Sequence, residues 1–559
     1  MTRMRLFLQL LGTCTLFAAP IAAANPAPRA PGAPSRPKLI VVLSIDQFSS
    51  ELYRRYRPTF TGGLKTLSGG TAYPIGYQSH AATETCPGHS TILTGDHPSK
   101  TGIIANSWFD VKTGSSIYCV SVAGVADPVA RGPQNLRVDT LGDWMKKADP
   151  KSRSFAVSGK DRAAIMMGGH HADGIYWWVD GEGFRTSSHA GPADASVTAP
   201  AAAFNAAEAQ RWKAMPPELW PAATPSCAAL ARPHTFGKVT VSGEVPPEAA
   251  KHVEDDKDFA RSTDFQDQLR ASPAYDQLSL KFAQKLIDER HLGTGPGIDL
   301  LAISLSATDY VGHRYGNGGA EMCMQMAALD RALGAFVDRL EKSGVPIVVA
   351  LTADHGSTDA AEREDEHDPS AQRIDNTAFV TALNNALMKE LAIGFEPIVG
   401  DDPQQLSINV GTDTALYDKV RDAALTWLRK QPQVTAVFSR ADIEAATVAP
   451  QTPPTKLTVA QRFRESYDRE RSGDIAVQYA SRATFGVPRG PTDTVAGHGS
   501  PWDYDRQVPI LFWWPGAVPQ DRDAPIETVD IAPTLANLAQ VPVPAVDGTC
   551  LDLGIACAP

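Results

Sequence analysis

The sequence predicts an α/β/α sandwich built on a mainly parallel central β-sheet. Three observations support this fold class: short apolar runs without polar alternation, helical patterns between them, and aspartates close to the ends of several runs. Runs of this kind are typical of strands that are buried on both faces, as in a parallel sheet. Because strands alternate with helices along the chain, we expect helices to cover both faces of the sheet.

Five apolar runs are the predicted core strands: Lys38–Ile45, Ser154–Ser158, Asp299–Ser306, Pro346–Thr352 and Pro509–Trp514. The clearest helical pattern covers Glu321–Lys342 and is closed by Gly344. Asp46, Asp309 and Asp354 each follow one of the strands closely. Since ligands of open α/β sheets bind outside the carboxyl ends of the strands, we expect these carboxylates to share one site.

The N-terminal segment has the pattern of an export signal. Arg3 and Arg5 precede the apolar run Leu6–Ala19, and an alanine-rich stretch follows. This order predicts a signal peptide over residues 1–24 and a Pro/Ala-rich leader over 25–37. The catalytic domain would then span 38–559, with cap insertions at about 168–297 and 362–494. We expect no membrane span, and a periplasmic or extracellular protein.

The charge of the chain bears on its partners. The full sequence carries a net charge of −11, and loss of the signal peptide removes two arginines and no acid, which gives −13. So acidic a surface argues against nucleic-acid and anionic-membrane partners. We expect the partners to be small phosphate esters. We also expect the protein to be a monomer.

The cysteines indicate an oxidising compartment. Of the seven, Cys14 leaves with the signal peptide, and an even number remains. We expect disulfides rather than zinc ligation, because no C-x-x-C pair occurs. Cys550 and Cys557 are close enough to clip the C-terminus, while the other pairings stay open.

Aspartates and histidines recur in combinations that suit a metal. The six candidate ligands are Asp46, Asp309, His313, Asp354, His355 and His498. Imidazole nitrogens together with carboxylate oxygens favour zinc. Four-residue spacing can place Asp309 and His313 on one face of a helical turn. The adjacent Asp354 and His355 fit a loop at a strand end, where neighbouring side chains diverge.

Thr85 is the candidate nucleophile. It precedes Pro87, which suits the first turn of a helix, so Thr85 would lie at a helix start with free N–H groups and the positive dipole end. A metal bound to its hydroxyl would lower the pKa of the alcohol. A plain helix cap is the alternative reading of Thr85. Cys86 is the rival nucleophile, and it is disfavoured because an exported cysteine is more often disulfide-bonded.

Taken in chain order, these motifs resemble the alkaline phosphatase superfamily. The motifs are Asp46, T-E-T-C-P-G-H around Thr85, Asp309-x-x-x-His313, Asp354-His355-Gly and His498-Gly. The resemblance is strongest to the branch that contains nucleotide pyrophosphatases/phosphodiesterases and bacterial alkaline phosphatases with a threonine nucleophile. It extends over nearly the whole mature chain.

The resemblance implies an alkaline-phosphatase-like sandwich, two zinc ions per chain and a phosphothreonine intermediate on Thr85. It implies the following ligand sets: Asp309, His313 and His498 for one ion, and Asp46, Asp354, His355 and the Thr85 oxygen for the other. The two ions of such sites are roughly 4 Å apart. Cytosolic relatives of this superfamily are disfavoured by the signal peptide.

Three further residues bear on the choice between monoesters and diesters. Asn106, Lys160 and Arg162 match residues that bind the phosphoryl oxygens in the phosphatases that the chain resembles. Diesterases of the superfamily generally lack the Lys/Arg pair. We therefore predict a broad-specificity phosphomonoesterase. The alternatives are a nucleotide pyrophosphatase/phosphodiesterase, and a metal-dependent binding protein that lost the chemistry.

Two questions stay open at this point. An additional Ca²⁺ could bind the acidic segment V-E-D-D-K-D, residues 253–258, although an ordinary solvated surface explains it as well. No argument from the sequence separates structural roles from site roles for four histidines: His89, His170, His171 and His367.

Overall fold

The computed structural model describes residues 32–125, 130–215, 217–247, 263–364, 368–400, 402 and 404–557. The predicted signal peptide, the acidic segment 253–258 and His367 lie outside these residues. The described end of the predicted leader, residues 32–37, lies against the fold. Trp514 Nε1 donates to the Gly32 carbonyl at 2.8 Å, and Arg36 Nε donates to the Ala539 carbonyl at 3.1 Å.

Within the described residues the chain forms nineteen strands, labelled in chain order: β1 Leu39–Ile45, β2 Thr71–Tyr77, β3 Ser107–Asp110, β4 Ser115–Tyr118, β5 Arg153–Ser158, β6 Gly174–Val179, β7 Gly183–Arg185, β8 His234–Phe236, β9 Val239–Val241, β10 Asp299–Leu305, β11 Ile347–Thr352, β12 Gln372–Ile374, β13 Ile398–Val399, β14 Gln405–Ile408, β15 Val434–Ser439, β16 Ile475–Tyr479, β17 Ala483–Phe485, β18 Gln507–Trp513 and β19 Gln520–Asp521.

The same residues form nineteen α-helices: α1 Ser50–Tyr56, α2 Gly63–Leu67, α3 Thr85–Thr94, α4 Pro98–Thr101, α5 Leu141–Ala148, α6 Asp161–Gly168, α7 Ala195–Ala214, α8 Pro225–Ala228, α9 Thr263–Arg270, α10 Pro273–Arg290, α11 Ala307–Tyr315, α12 Ala320–Lys342, α13 Ala361–Glu364, α14 Asn376–Leu391, α15 Thr414–Leu428, α16 Arg440–Ala445, α17 Val459–Glu465, α18 Asp503–Arg506 and α19 Ile531–Ala539.

The central sheet confirms the predicted fold class. In the described chain its strand order is β19-β2-β18-β11-β1-β10-β5-β6-β7. The five strands from β11 to β6 run parallel, and β18 is antiparallel to both of its neighbours. All five predicted core strands belong to this sheet, and the helix predicted over Glu321–Lys342 is α12.

The core lies on both faces of the sheet, as non-alternating apolar strands require. In β1, the side chains of Leu39, Val41, Leu43 and Ile45 pack into one apolar cluster. Those of Ile40 and Val42 pack into a second cluster on the opposite face. Every residue of β1 is buried. Neither face of this strand meets solvent, which explains why apolar and polar residues do not alternate along it.

The two intervals predicted as cap insertions differ in structure. Residues 168–297 contribute β6 and β7 to the central sheet, as well as α7 to α10. Residues 362–494 contain a separate sheet with the order β13-β14-β16-β15. Helices α14 and α15 share an apolar cluster with this smaller sheet. Whether these intervals act as caps stays a prediction.

Six cysteines form three disulfides: Cys86–Cys119, Cys227–Cys323 and Cys550–Cys557. The C-terminal clip predicted for Cys550 and Cys557 is therefore present. Cys86 is disulfide-bonded, which removes it as a thiolate nucleophile while the bond is intact. Among the helices that the structure describes, none combines the length and apolar character that crossing a bilayer demands.

Candidate active site

The predicted site residues converge at the carboxyl edge of the central sheet. Asp46 follows β1, and Asp354 with His355 follows β11. Asp309 and His313 lie on α11, one helical turn apart, directly after β10. His498 comes from the loop before α18. The expectation that the strand-end aspartates share one region is confirmed.

One group of possible metal ligands contains Asp309, His313 and His498. The Nε2 atoms of the two histidines lie 3.3 and 3.4 Å from Asp309 Oδ1. Their Nδ1 atoms are hydrogen-bonded to backbone carbonyls, His313 to Ala496 at 2.7 Å and His498 to Thr83 at 2.8 Å. A histidine that donates Nδ1–H to a carbonyl presents a lone pair on Nε2, which is the usual support of a metal ligand.

The second group contains Asp46, His89 and Asp354. His89 Nε2 lies 3.4 Å from Asp46 Oδ1, and its Nδ1 lies 3.3 Å from Asp354 Oδ2. The predicted ligand His355 adjoins this group, because its Nε2 lies 3.3 Å from Asp354 Oδ2. Two imidazoles therefore approach the same carboxylate, and only His355 was a predicted ligand.

Buried polar atoms without hydrogen bonds show that both groups fit a metal ion. Apart from Asp46 Oδ2, which lies 3.0 Å from Lys160 Nζ, the buried atoms without a hydrogen bond at this site are His89 Nε2, Asp309 Oδ1, Asp354 Oδ2 and His355 Nε2. Buried polar groups are otherwise almost always hydrogen-bonded. Ligands about 2.0 Å from a tetrahedral zinc are separated by roughly 3.3 Å, which matches the nitrogen–oxygen distances of these pairs.

The electrostatics keep the carboxylates of Asp309 and Asp354 ionised. Burial acts to raise the pKa of Asp309, but His313 and Lys160 outweigh it and hold that pKa well below its usual range. Burial is likewise outweighed at Asp354, whose pKa is lowered by His355 and His89. Burial, with the nearby His355, lowers the pKa of His498 to about 4, so its ring is neutral at neutral pH.

Thr85 is the first residue of α3 and is buried. The helix can approach the strand-end loop because residue 88 is glycine: a Cβ there would lie 1.9 Å from the Asp354 carbonyl oxygen. Thr85 thus lies at the N-terminus of a helix that also carries His89 of the second group. Such a position favours an anion through the positive end of the helix dipole.

The polar residues around Thr85 include the predicted Asn106. Its Oδ1 accepts the backbone N–H of Cys86 at 2.8 Å, which leaves the NH₂ group of the amide for another acceptor. The backbone N–H of Asn106 donates to Glu84 Oε2 at 2.7 Å. Glu84 is the residue before α3, so this pair ties Asn106 to the start of the nucleophile helix.

Lys160 follows the end of β5, and Arg162 lies at the start of α6. Lys160 Nζ lies 2.6 Å from Asp309 Oδ2 and 3.0 Å from Asp46 Oδ2, so it bridges the two ligand groups. Arg162 Nη2 donates to Thr85 Oγ1 at 3.5 Å. The Nε atom of Arg162 is buried without a hydrogen-bond partner. Of the two cations, it is Arg162 that reaches the threonine hydroxyl.

Sequence reasoning left His89 unassigned and did not single out Glu84. His89 lies one helical turn after Thr85, and its Nδ1 is hydrogen-bonded to the Thr85 carbonyl at 2.9 Å. Its spacing in T-E-T-C-P-G-H was the available signal, since positions i and i+4 share a helix face. Of the other open histidines, His170 lies away from this site, 3.8 Å from both Asp139 and Asp143.

Comparison with known proteins identifies the class to which this fold and site belong. The family described as type I phosphodiesterase / nucleotide pyrophosphatase matches residues 40–501. The chain belongs to this family.

Within it, the chain is similar to bacterial alkaline phosphatases along most of its length. Alkaline phosphatase PhoK of Sphingomonas sp is 41% identical over 533 residues, covering 92% of this chain and 91% of the relative. Alkaline phosphatase PhoD of Zymomonas mobilis is 41% identical over 528 residues, with 92% and 88% covered. The crystal structure of wild-type alkaline phosphatase PafA aligns with a TM-score of 0.80 at 26% identity, and covers 94% of this chain and 100% of that one.

Proposed function

We propose that this protein is an exported alkaline phosphatase that hydrolyses phosphate monoesters with broad specificity and uses Thr85 as its nucleophile. The relatives named alkaline phosphatase support the activity. Within the site, the observation that carries the monoester assignment is the contact of Arg162 with the Thr85 hydroxyl at 3.5 Å. A half-buried guanidinium beside the nucleophile suits an incoming group with two negative charges.

The donor chemistry supports two zinc ions. Asp309, His313 and His498 would hold one, and Asp46, Asp354, His355 and the Thr85 oxygen would hold the other. When bound, such ions supply Lewis-acid chemistry and lower the pKa of a coordinated hydroxyl. Within the second set, His89 is committed to the Thr85 carbonyl through Nδ1 and contacts both carboxylates, so we assign it to their orientation.

The reaction proceeds in two displacements at phosphorus. The Thr85 oxygen forms a bond to phosphorus while the bond to the ester oxygen breaks, and the alcohol leaves with a proton. Water then displaces the Thr85 oxygen, which releases inorganic phosphate and restores the hydroxyl. The free NH₂ group of Asn106 and the guanidinium of Arg162 bind the non-bridging oxygens, while Lys160 supplies a second fixed positive charge beside Asp309.

Two assays test this proposal. The first compares kcat/KM for p-nitrophenyl phosphate and bis(p-nitrophenyl) phosphate, and we expect a preference for the monoester. A preference for the diester would instead assign a phosphodiesterase or nucleotide pyrophosphatase, and inactivity of the zinc-loaded protein on both esters would indicate a binding protein.

The second assay quenches turnover of a ³²P-labelled monoester in acid and locates the label. We expect it on Thr85, with none in Thr85→Ala and normal labelling in Thr94→Val at the other end of the same helix. Label on any other residue would overturn the assignment of Thr85.

A further inference from the structure

A network of polar side chains contacts Arg162. Tyr118, the last residue of β4, donates its hydroxyl hydrogen to Asp161 Oδ1 at 2.6 Å. Arg162 Nη1 donates to the same phenol oxygen at 3.5 Å. The tyrosine oxygen is therefore both donor and acceptor, and it connects the carboxylate of Asp161 to the guanidinium that contacts Thr85.

Asp161 and Arg131 fix the position of this tyrosine. Asp161 Oδ1 also accepts the backbone N–H of Arg162 at 2.7 Å, and Oδ2 accepts Arg131 Nε at 2.8 Å. The guanidinium of Arg131 lies over the Tyr118 ring, 5.2 Å from its centroid. The ring is thus held through its face and the hydroxyl through a carboxylate.

The hydroxyl remains a donor under alkaline conditions. Burial, with a contribution from Asp161, raises the pKa of Tyr118, although Arg162 acts to lower it. The phenol therefore keeps its proton at the pH at which an alkaline phosphatase works, and the orientation of the network does not depend on pH in that range.

The same hairpin carries Asn106. Strands β3 and β4 pair with Ser107 opposite Tyr118, and Cys119 donates its backbone N–H to the Asn106 carbonyl at 2.9 Å. The disulfide between Cys86 and Cys119 joins this hairpin to the residue that follows Thr85. One end of a single hairpin therefore supports both of the side chains that we assign to the phosphoryl oxygens.

We propose that Tyr118 is a positioning residue that holds the Arg162 guanidinium against Thr85, and that Asp161 and Arg131 keep Tyr118 in place. The inference rests on the proposed phosphomonoesterase function. Its effect falls on monoesters, because Arg162 is the donor that meets their second negative charge. A diester lacks that charge, so it gains less from a well-placed guanidinium.

The test is a double-mutant cycle with Tyr118→Phe, Arg162→Ala and the double variant, each assayed on both p-nitrophenyl esters. Tyr118→Phe should lower kcat/KM for the monoester about tenfold and change that for the diester less than about twofold. In the Arg162→Ala background the same change should have no further effect. Tyr118→Phe should weaken inhibition by inorganic phosphate in the wild-type background. It should not weaken that inhibition further in the Arg162→Ala background.

Tyr417→Phe is the matched control and should leave kcat/KM for both esters unchanged. Tyr417 also donates its hydroxyl to a carboxylate, Asp474, at 2.9 Å, but it lies on α15, which packs against the smaller sheet. Asp161→Ala removes the acceptor of the Tyr118 hydroxyl and should reproduce the loss on monoesters. It is the variant to use if Tyr118→Phe folds poorly. Equal losses on both esters, or an undiminished loss in the Arg162→Ala background, would overturn the positioning role. Absence of phosphomonoesterase activity in the wild-type protein would instead contradict the proposed function.

Discussion

The imidazole rings of His355 and His498 stack face to face, with their centroids 3.6 Å apart and their planes inclined by 17°. His355 belongs to the proposed ligand set that contains Asp354, and His498 belongs to the proposed set that contains Asp309. The stack therefore joins two sets that come from different parts of the chain. If each set holds an ion, the two ions are neighbours and can act on one phosphoryl group.

Removal of either stacked ring should remove metal. We expect His355→Ala and His498→Ala each to retain about one zinc per chain where the wild type retains two, because each loses one of its few protein ligands. His171→Ala, at an exposed histidine, is the control and should retain two. Elemental analysis of the purified variants measures the stoichiometry, and unchanged zinc in both variants would contradict the assigned ligand sets.

His89→Ala separates orientation from ligation. If His89 orients the carboxylates of Asp46 and Asp354, its removal should lower zinc affinity about 10- to 100-fold. The stoichiometry at saturating zinc should stay the same. Competition with a chelator gives the affinity. Loss of one zinc at saturation would make His89 a direct ligand in place of His355.

Truncation of Arg162 should act on monoesters selectively. Arg162→Ala should lower kcat/KM for p-nitrophenyl phosphate by about 100-fold, since a charge-assisted contact to a dianion in a buried site is lost. The loss for the bis ester should be below about tenfold. Lys160→Ala needs a parallel zinc analysis, because Lys160 also contacts Asp309 and Asp46. Equal losses on both esters would contradict the role of Arg162.

Asp330 should be important for stability and not for the reaction. Its buried carboxylate accepts the backbone N–H groups of Thr61 and Gly62 at 2.7 Å and of Leu64 at 2.8 Å, so one residue of α12 caps the start of α2. Asp330→Ala should lower the free energy of unfolding by about 3 kcal/mol. Asp338→Ala, at an exposed site on the same helix, should change it by less than about 0.5 kcal/mol. Urea unfolding checks both values.

Asp276 should make stability fall as the pH rises. Burial raises the pKa of this carboxyl to about 7, although it accepts hydrogen bonds from Ala307 N and Gln325 Nε2, each at 2.9 Å. In the unfolded chain it ionises near pH 4. Between these values the folded state binds more protons than the unfolded state, so this contribution to stability is lost as the pH rises.

The measurement is the difference in unfolding free energy between the wild type and Asp276→Asn, followed from pH 4 to pH 8. The variant should gain up to roughly 4 kcal/mol relative to the wild type over this range. A pH-independent difference would mean that the carboxyl ionises normally in the folded protein.

The sequence was informative where chemistry and local geometry coincide. The apolar runs before Asp46 and Asp309 predicted buried strands, and the four-residue spacing of Asp309 and His313 predicted a shared helix face; both are present in the structure. The start of α3 at Thr85 followed from Pro87 in the same way. Local rules sufficed for these elements because each signal lies within a few residues of what it predicts.

Relationships across the chain were out of reach for the same reason. The antiparallel position of β18 depends on pairing with β2 and β11, which no local pattern specifies. The link from Tyr118 to Asp161 joins a hairpin to a helix start. Asp161 stands between the predicted Lys160 and Arg162, but no local pattern connects it with Tyr118. The pairing of Cys86 with Cys119 likewise depends on the approach of that hairpin to α3.

The Cys86–Cys119 disulfide can form only where the chain folds in an oxidising compartment. A copy retained in a reducing cytosol would contain every predicted ligand and Thr85, yet its hairpin would lack the covalent link to the nucleophile helix. The two supports of the phosphoryl oxygens would then depend on hydrogen bonds alone. We therefore expect reduction of the Cys86–Cys119 disulfide to lower phosphomonoesterase activity, and an oxidising compartment to favour the linked form.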